Sequence, residues 1–97
     1  MSSNSNEIRH KHLSATVLMI LAILDRFPEG AYLTDVVGEY EENGIDVSEP
    51  SVRTYINRVI GAGFVDRKKE TDGSRRTIYF INQDGSAELD WWRGVVG

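Results

Sequence analysis

The densest apolar stretch lies between Leu13 and Phe27, and its central turns, Val17-Leu18-Met19-Ile20-Leu21-Ala22-Ile23-Leu24, leave no polar stripe. A surface helix keeps one polar side, whereas a helix apolar all round is covered on several. A buried strand is the rival for so short a run, but Leu, Met and Ala dominate it and favour helix. The pattern therefore predicts a helix over residues 13–27, capped by Ser14 or led in from Asn6, and ended by Pro28 and Gly30. Val17, Ile20, Leu21 and Leu24 are expected to face the core. Leu18, Met19, Ala22 and Ile23 then need a second cover, from the C-terminal helix or from another copy of the chain.

Ala31-Tyr32-Leu33 reads as a short extended segment, available as a third strand. Thr34 looks like the cap of a second helix, from Asp35 to about Asn43, that buries Val36, Val37 and Tyr40 and stops at Gly44. Ser48 caps a third, with Pro50 in its first turn, where no intrahelical donor is needed. There Val52, Ile56, Val59 and Ile60 recur at three- and four-residue spacing and face inward, while Arg53, Asn57 and Arg58 fall off that stripe. After Gly61-Ala62-Gly63 the period changes from helical to alternating. Phe64 to Lys69 and Arg75 to Ile81 read as two strands, and Thr71-Asp72-Gly73-Ser74 between them as a hairpin tip. Asn82 caps a last helix, from Gln83 to about Arg93, with Leu89 and Trp92 on one side and Trp91 and Val95 on another.

A helix followed directly by a hairpin, behind two earlier helices, is the order of a winged helix-turn-helix. The fold class expected is α+β, mainly helical, in the order helix-strand-helix-helix-strand-strand-helix, with a two- or three-stranded antiparallel wing sheet. Residues 1–12 are expected to be a flexible polar start and 13–97 one domain.

Charge sharpens this picture. The 97 residues carry a net charge of −4, which alone argues mildly against a nucleic-acid partner. Yet residues 1–49 hold nine acids against three Arg/Lys, and residues 53–76 hold seven Arg/Lys against three acids. The positive excess sits on the helix–hairpin unit. There are no cysteines, so no disulfide, thiol nucleophile or thiolate metal site is available, which fits a reducing compartment. The apolar run falls far short of the roughly 20 residues that cross a bilayer, and no signal-peptide pattern opens the chain. A cytoplasmic protein with no membrane partner is expected. His10 and His12 stand without a third ligand, and no metal or other cofactor is expected. No HExxH, Walker A loop, GxSxG or paired-carboxylate arrangement is present, so no enzyme is expected.

Two sets of residues carry candidate chemistry. Ser51, Arg53, Thr54, Asn57 and Arg58 on the third helix suit base contacts, because Arg pairs bidentately with guanine and Asn with adenine. The rival is an ordinary solvated helix face, and Glu49 at the tip counts against backbone contact. Arg67, Lys68, Lys69, Arg75 and Arg76 on the hairpin, with Tyr55, suit DNA-backbone contacts. Their rival is a charged guard on an edge strand, and Tyr55 has core packing as its alternative. Trp91 and Trp92 suit packing better than base stacking, since their helix lies in an acidic tail. With Leu18, Met19, Ala22, Leu89 and Val95 they form a candidate dimer interface.

Four patterns give these elements a familiar look. They are Pro50-Ser51-Val52-x-x-Tyr55-Ile56-x-x-Val59-Ile60-x-x-Gly63-Phe64-Val65, Arg75-Arg76-Thr77-Ile78-Tyr79-Phe80, Asn82-Gln83-Asp84-Gly85-x-x-x-Leu89, and Gly30-Ala31-Tyr32-Leu33. In order and spacing, over roughly residues 14–93, the chain resembles winged-helix transcription regulators of the PadR and MarR kind, with Asn82 where those have a cap Thr. The resemblance implies that the helix over 49–62 enters the major groove, the wing touches backbone or minor groove, and terminal helices build a homodimer. The expectation is therefore a homodimeric regulator, a repressor, on a near-palindromic double-stranded DNA site. The long extra helices that many such proteins use for ligands are missing, so no small-molecule effector is expected. The alternatives are a winged-helix module that docks protein, and a DNA-binding accessory factor of viral or plasmid replication or packaging.

Overall fold

A computed structural model describes residues 15–70 and 76–96. In chain order it contains α1 (Ala15–Asp25), α2 (Leu33–Glu42), α3 (Glu49–Gly61), β1 (Val65–Lys69), β2 (Thr77–Ile81) and α4 (Gln83–Val96). The expected polar start, the Ser14 or Asn6 cap and the Asp72-Gly73 tip lie outside the described residues, as does the side chain of Val17. No described helix is long and apolar enough to cross a membrane.

Helix α1 is the axis of the core. Ile20, Leu21, Ile23 and Leu24 are all buried, because α2, α3, α4 and β2 all pack against it. Burial of each such side chain contributes about 1.5–3 kcal/mol. Of the two covers expected for Ile23, the C-terminal helix or another copy, the chain's own elements, α4 among them, suffice. Leu18, Met19 and Ala22 stay partly exposed at the edge of the same core. The helix stops two residues short of Phe27. The N–H groups of Arg26 and Phe27 turn back to the carbonyls of Ile23 and Leu24, three residues behind each, at 3.0 and 2.9 Å. That tightens the last turn and satisfies its orphan carbonyls.

The start of α2 also differs from expectation. Thr34 is an exposed residue inside the helix, and Tyr32 is the cap. The Tyr32 N–H donates to the Asp35 carboxylate at 3.0 Å, so the acid at the third helical position reaches back to the residue before the helix. Ala31 is held just ahead of it by paired hydrogen bonds with Tyr79, at 2.9 and 2.8 Å. This is one isolated antiparallel bridge rather than a third strand. Leu33 is thereby drawn into the helix, and the wing sheet has two strands. Helix α2 buries Val36 and Tyr40 as predicted, while Val37, also expected inside, is only partly buried against the core. It ends at Glu42, and beyond it the N–H groups of Gly44 and Ile45 fold back onto the carbonyls of Glu41 and Tyr40.

Helix α3 follows the sequence reading closely. The Ser48 hydroxyl accepts the Ser51 N–H at 3.2 Å, and Val52, Ile56 and Val59 are fully buried. At its end Gly63 takes φ +85°, a left-handed conformation that costs a β-carbon residue far more than glycine. The Phe64 N–H then reaches the Val59 carbonyl at 3.0 Å, and the chain enters β1.

Strand β1 pairs antiparallel with β2, Val65 opposite Ile81 through Lys69 opposite Thr77. Asn82 locks this hairpin to α4. Its Oδ1 accepts the Gly85 N–H at 2.9 Å, its Nδ2 donates to the Gly63 carbonyl at 2.9 Å, and its own N–H donates to Phe64 O at 3.0 Å. The side-chain amide supplies acceptor and donor on separate atoms, so one residue caps a helix and fastens the α3–β1 junction. Gly85 sits so close that a β-carbon there would lie 2.2 Å from the Phe64 carbonyl oxygen. Helix α4 runs to Val96, three residues beyond the predicted Arg93, tied to α1 by an Arg93–Asp25 ion pair at 3.4 Å.

Candidate nucleic-acid interface

The alternation of β1 sorts its side chains onto two faces, and cations from both border α3. Val65, Arg67 and Lys69 share one face with Ile81, Tyr79 and Thr77, while Asp66 and Lys68 share the other with Phe80 and Ile78. Val65 and Tyr79 are buried in the core, so the same face carries Arg67 and Lys69 outward alongside α3. The helix brings a row of its own. Glu49, Arg53 and Asn57 are four residues apart and lie along one side of α3.

Two shallow depressions form where these surfaces meet. One, of about 560 Å3, is lined by Arg53 and Asn57 from α3, Arg67, Lys68 and Lys69 from β1, and Thr77 and Tyr79 from β2. The other, of about 270 Å3, shares Arg53, Thr77 and Tyr79 and adds Glu49, Arg76 and the Tyr32–Thr34 entry to α2. A cation-rich hollow between a helix row and a strand is suited to a polyanion, which it meets with fixed charges on two rigid elements.

The residues singled out from sequence divide accordingly. Arg53, Asn57, Arg67, Lys68, Lys69 and Arg76 are brought together around the two depressions. Ser51, Thr54 and Arg58 line neither. Ser51 is hydrogen-bonded to the Ser48 hydroxyl at 2.9 Å, and the Thr54 hydroxyl donates to the Pro50 carbonyl at 3.1 Å. Tyr55 packs against the core with its ring centroid 6.4 Å from that of Tyr40. Burial first, and the nearby Tyr55 phenol second, push the Tyr40 hydroxyl above the ordinary tyrosine range. Arg75 lies outside the described residues. His10 and His12 do too, and the described residues hold no cluster of three or more potential metal ligands.

One participant escaped sequence reasoning. The Arg76 guanidinium stacks on the Tyr32 ring, 3.6 Å from its centroid, and the Tyr32 hydroxyl donates to Glu70 at the end of the wing. A tyrosine ahead of α2 therefore orients a wing arginine 44 positions later in the chain. The only hint in sequence was the Gly30-Ala31-Tyr32 step, and nothing in it specified the contact.

On α4, outside the two depressions, Trp91 and Val95 are exposed, at 43% and 59%. Trp91 packs edge-on against half-buried Trp92, whose indole N–H donates to buried Glu88 at 3.0 Å. Leu89, a candidate for the dimer interface, is 5% exposed within the chain's own core, so it has almost no surface to lend to a partner.

No protein-family model matches the chain, and no curated protein matches it. Solved structures do match its fold. MarR from E. coli in its apo form superposes with a TM-score of 0.75 at 15% identity, over 89% of this chain and 59% of MarR. A MarR variant from E. coli complexed with operator DNA gives 0.76 at 14% identity, over 89% and 57%. A PadR family transcription regulator from hypervirulent Clostridium difficile gives 0.74 at 15% identity, over 84% and 85%. Identity this low speaks to architecture alone, and the chain has the winged helix-turn-helix fold of these MarR and PadR structures. It spans less than two thirds of the length of the MarR chains it matches.

Proposed function

We propose that this chain is a sequence-specific, double-stranded-DNA-binding transcription regulator. The observation that carries the reading is the 560 Å3 hollow, which sets Arg53 and Asn57 of α3 beside Arg67, Lys68 and Lys69 of the wing. Helix α3 enters the major groove, where Arg53 and Asn57 meet base edges, with Ser51, Thr54 and Arg58 as further contacts along the helix. The wing cations, Arg75 and Arg76 included, hold phosphates and give binding its salt dependence. The operator complex of the MarR variant is a precedent for the fold, not for this chain.

The protein acts as a homodimer and a repressor in this reading, occupying a near-palindromic operator whose half-sites lie about one helical turn, roughly 34 Å, apart or a multiple of it. Leu18, Met19, Ala22, Trp91, Trp92 and Val95 supply the dimer surface. A gel-shift titration on the DNA upstream of its own gene, against random DNA at two salt concentrations, is the test. Retention of the upstream fragment at a protein concentration that leaves random DNA free supports the proposal, and no shift at low salt sinks it. A second reading, a protein-docking module, draws on the exposed Trp91 and Val95. It gains ground if the protein is monomeric at micromolar concentration and fails to bind duplex DNA.

A further inference from the structure

Glu49 is the residue that a phosphate-binding surface explains least. Among the described residues it is the only acid lining either depression. The other described acids near the wing are occupied elsewhere. Asp66 lies on the opposite strand face and accepts from Asn82, and Glu70 accepts from Tyr32. Glu49 is the first residue of α3, half exposed, and pairs with Arg53 one turn on at 3.6 Å. Facing a phosphate, that carboxylate would only repel.

Resting on the DNA-binding reading above, we propose that Glu49 is a specificity-determining residue and that the Glu49–Arg53 pair recognises one C·G base pair in each half-site. The argument is one of donors and acceptors. In the major groove guanine shows two acceptors, thymine an acceptor and a methyl, and adenine a donor beside an acceptor. Cytosine alone shows a donor with no acceptor beside it on the same base. A carboxylate, which only accepts, is therefore attracted by cytosine N4 and repelled by guanine and thymine. Arg53 has five donors in a fixed fork. While one holds Glu49, others remain for O6 and N7 of the guanine paired to that cytosine. A side-by-side acceptor and donor set on the protein thus meets the donor and acceptors that a C·G pair presents side by side. Glu49 adds selectivity by penalising other base pairs, at some cost in general affinity.

The test uses the full chain to select bound duplexes from a pool with randomised positions, followed by titration of the selected duplex and of single-base-pair variants. The wild-type pool is expected to fix a C·G pair at one position per half-site. Glu49→Ala should lose that preference, by about tenfold in the affinity ratio, and should bind random duplex more tightly at low salt. Glu49→Gln keeps the side-chain shape but adds donors, and should shift the preference toward adenine at that position. If both variants keep the wild-type preference at every position, Glu49 is no reader, although the DNA-binding function stands. If the wild type binds no duplex, both proposals fall together.

Discussion

Helices α1 and α3 pack against each other in one core, yet they use their residues in opposite ways. In α1 the buried positions Ile20, Leu21, Ile23 and Leu24 are nearly consecutive, whereas in α3 they recur as Val52, Ile56 and Val59, leaving Glu49, Arg53 and Asn57 in solvent. A helix covered over most of its circumference keeps only an apolar edge, here Leu18, Met19 and Ala22, and defines where other elements sit. A helix buried on one side is held equally firmly by its stripe and can vary the rest. The difference separates stability from function within one small domain, and substitutions should respect that division.

The largest effect is expected on the α1 side. Leu21→Ala removes a fully buried side chain and should cost about 2–5 kcal/mol, read as a lower urea midpoint. Against a typical stability of about 5–15 kcal/mol, that is enough to leave a substantial unfolded fraction if the protein starts near the low end. A midpoint unchanged by the substitution would break the contrast between the two helices.

On the recognition side, Arg67→Ala with Lys69→Ala truncates two exposed strand residues beside α3. The urea midpoint should move by no more than about 0.5 kcal/mol in stability. The slope of log K against log salt for duplex binding should fall by about 1.8, at about 0.9 per lost phosphate contact. If stability drops while the salt slope holds, the wing cations are structural and the division proposed here is misplaced.

The smallest effect is on alkaline stability, and it comes from α2, which packs against both helices. An unfolded tyrosine ionises near its ordinary value of about 10, whereas folding pushes the Tyr40 hydroxyl higher, through burial and the Tyr55 phenol. The folded state therefore keeps its proton when the unfolded state has begun to lose it. The contribution is fully present below about pH 10 and is lost as pH rises further, toward the folded-state value. Stability should fall above pH 10 and do so less steeply in Tyr40→Phe. Parallel pH curves for the two proteins would remove Tyr40 as the cause.

The periodicity of α3, its Ser48 cap, the Gly63 exit and the register-forming strands were legible because each depends on residues within a turn or two of one another. The polar row Arg53–Asn57 followed from the same arithmetic. Boundaries that depend on distant partners were not. Thr34 looked like a better cap than Tyr32 by residue type, but the Ala31–Tyr79 bridge set the chain's direction and drew Leu33 into α2.

What the sequence by itself determined, then, was the four helices and the two wing strands, though not the strand expected at Ala31–Leu33, together with the one-sided face of α3 and the positive excess on the helix–wing unit. These are properties of local spacing and composition. Tertiary structure alone decided which cations share a hollow with Arg53 and Asn57, that Arg76 rests on Tyr32, that Ile23 and Leu89 are covered from within the chain, and that Glu49 faces the same surface as the basic residues. Those outcomes depend on which face of each element meets its neighbours, and strand register and helix packing settle that across tens of residues. No local pattern encodes it.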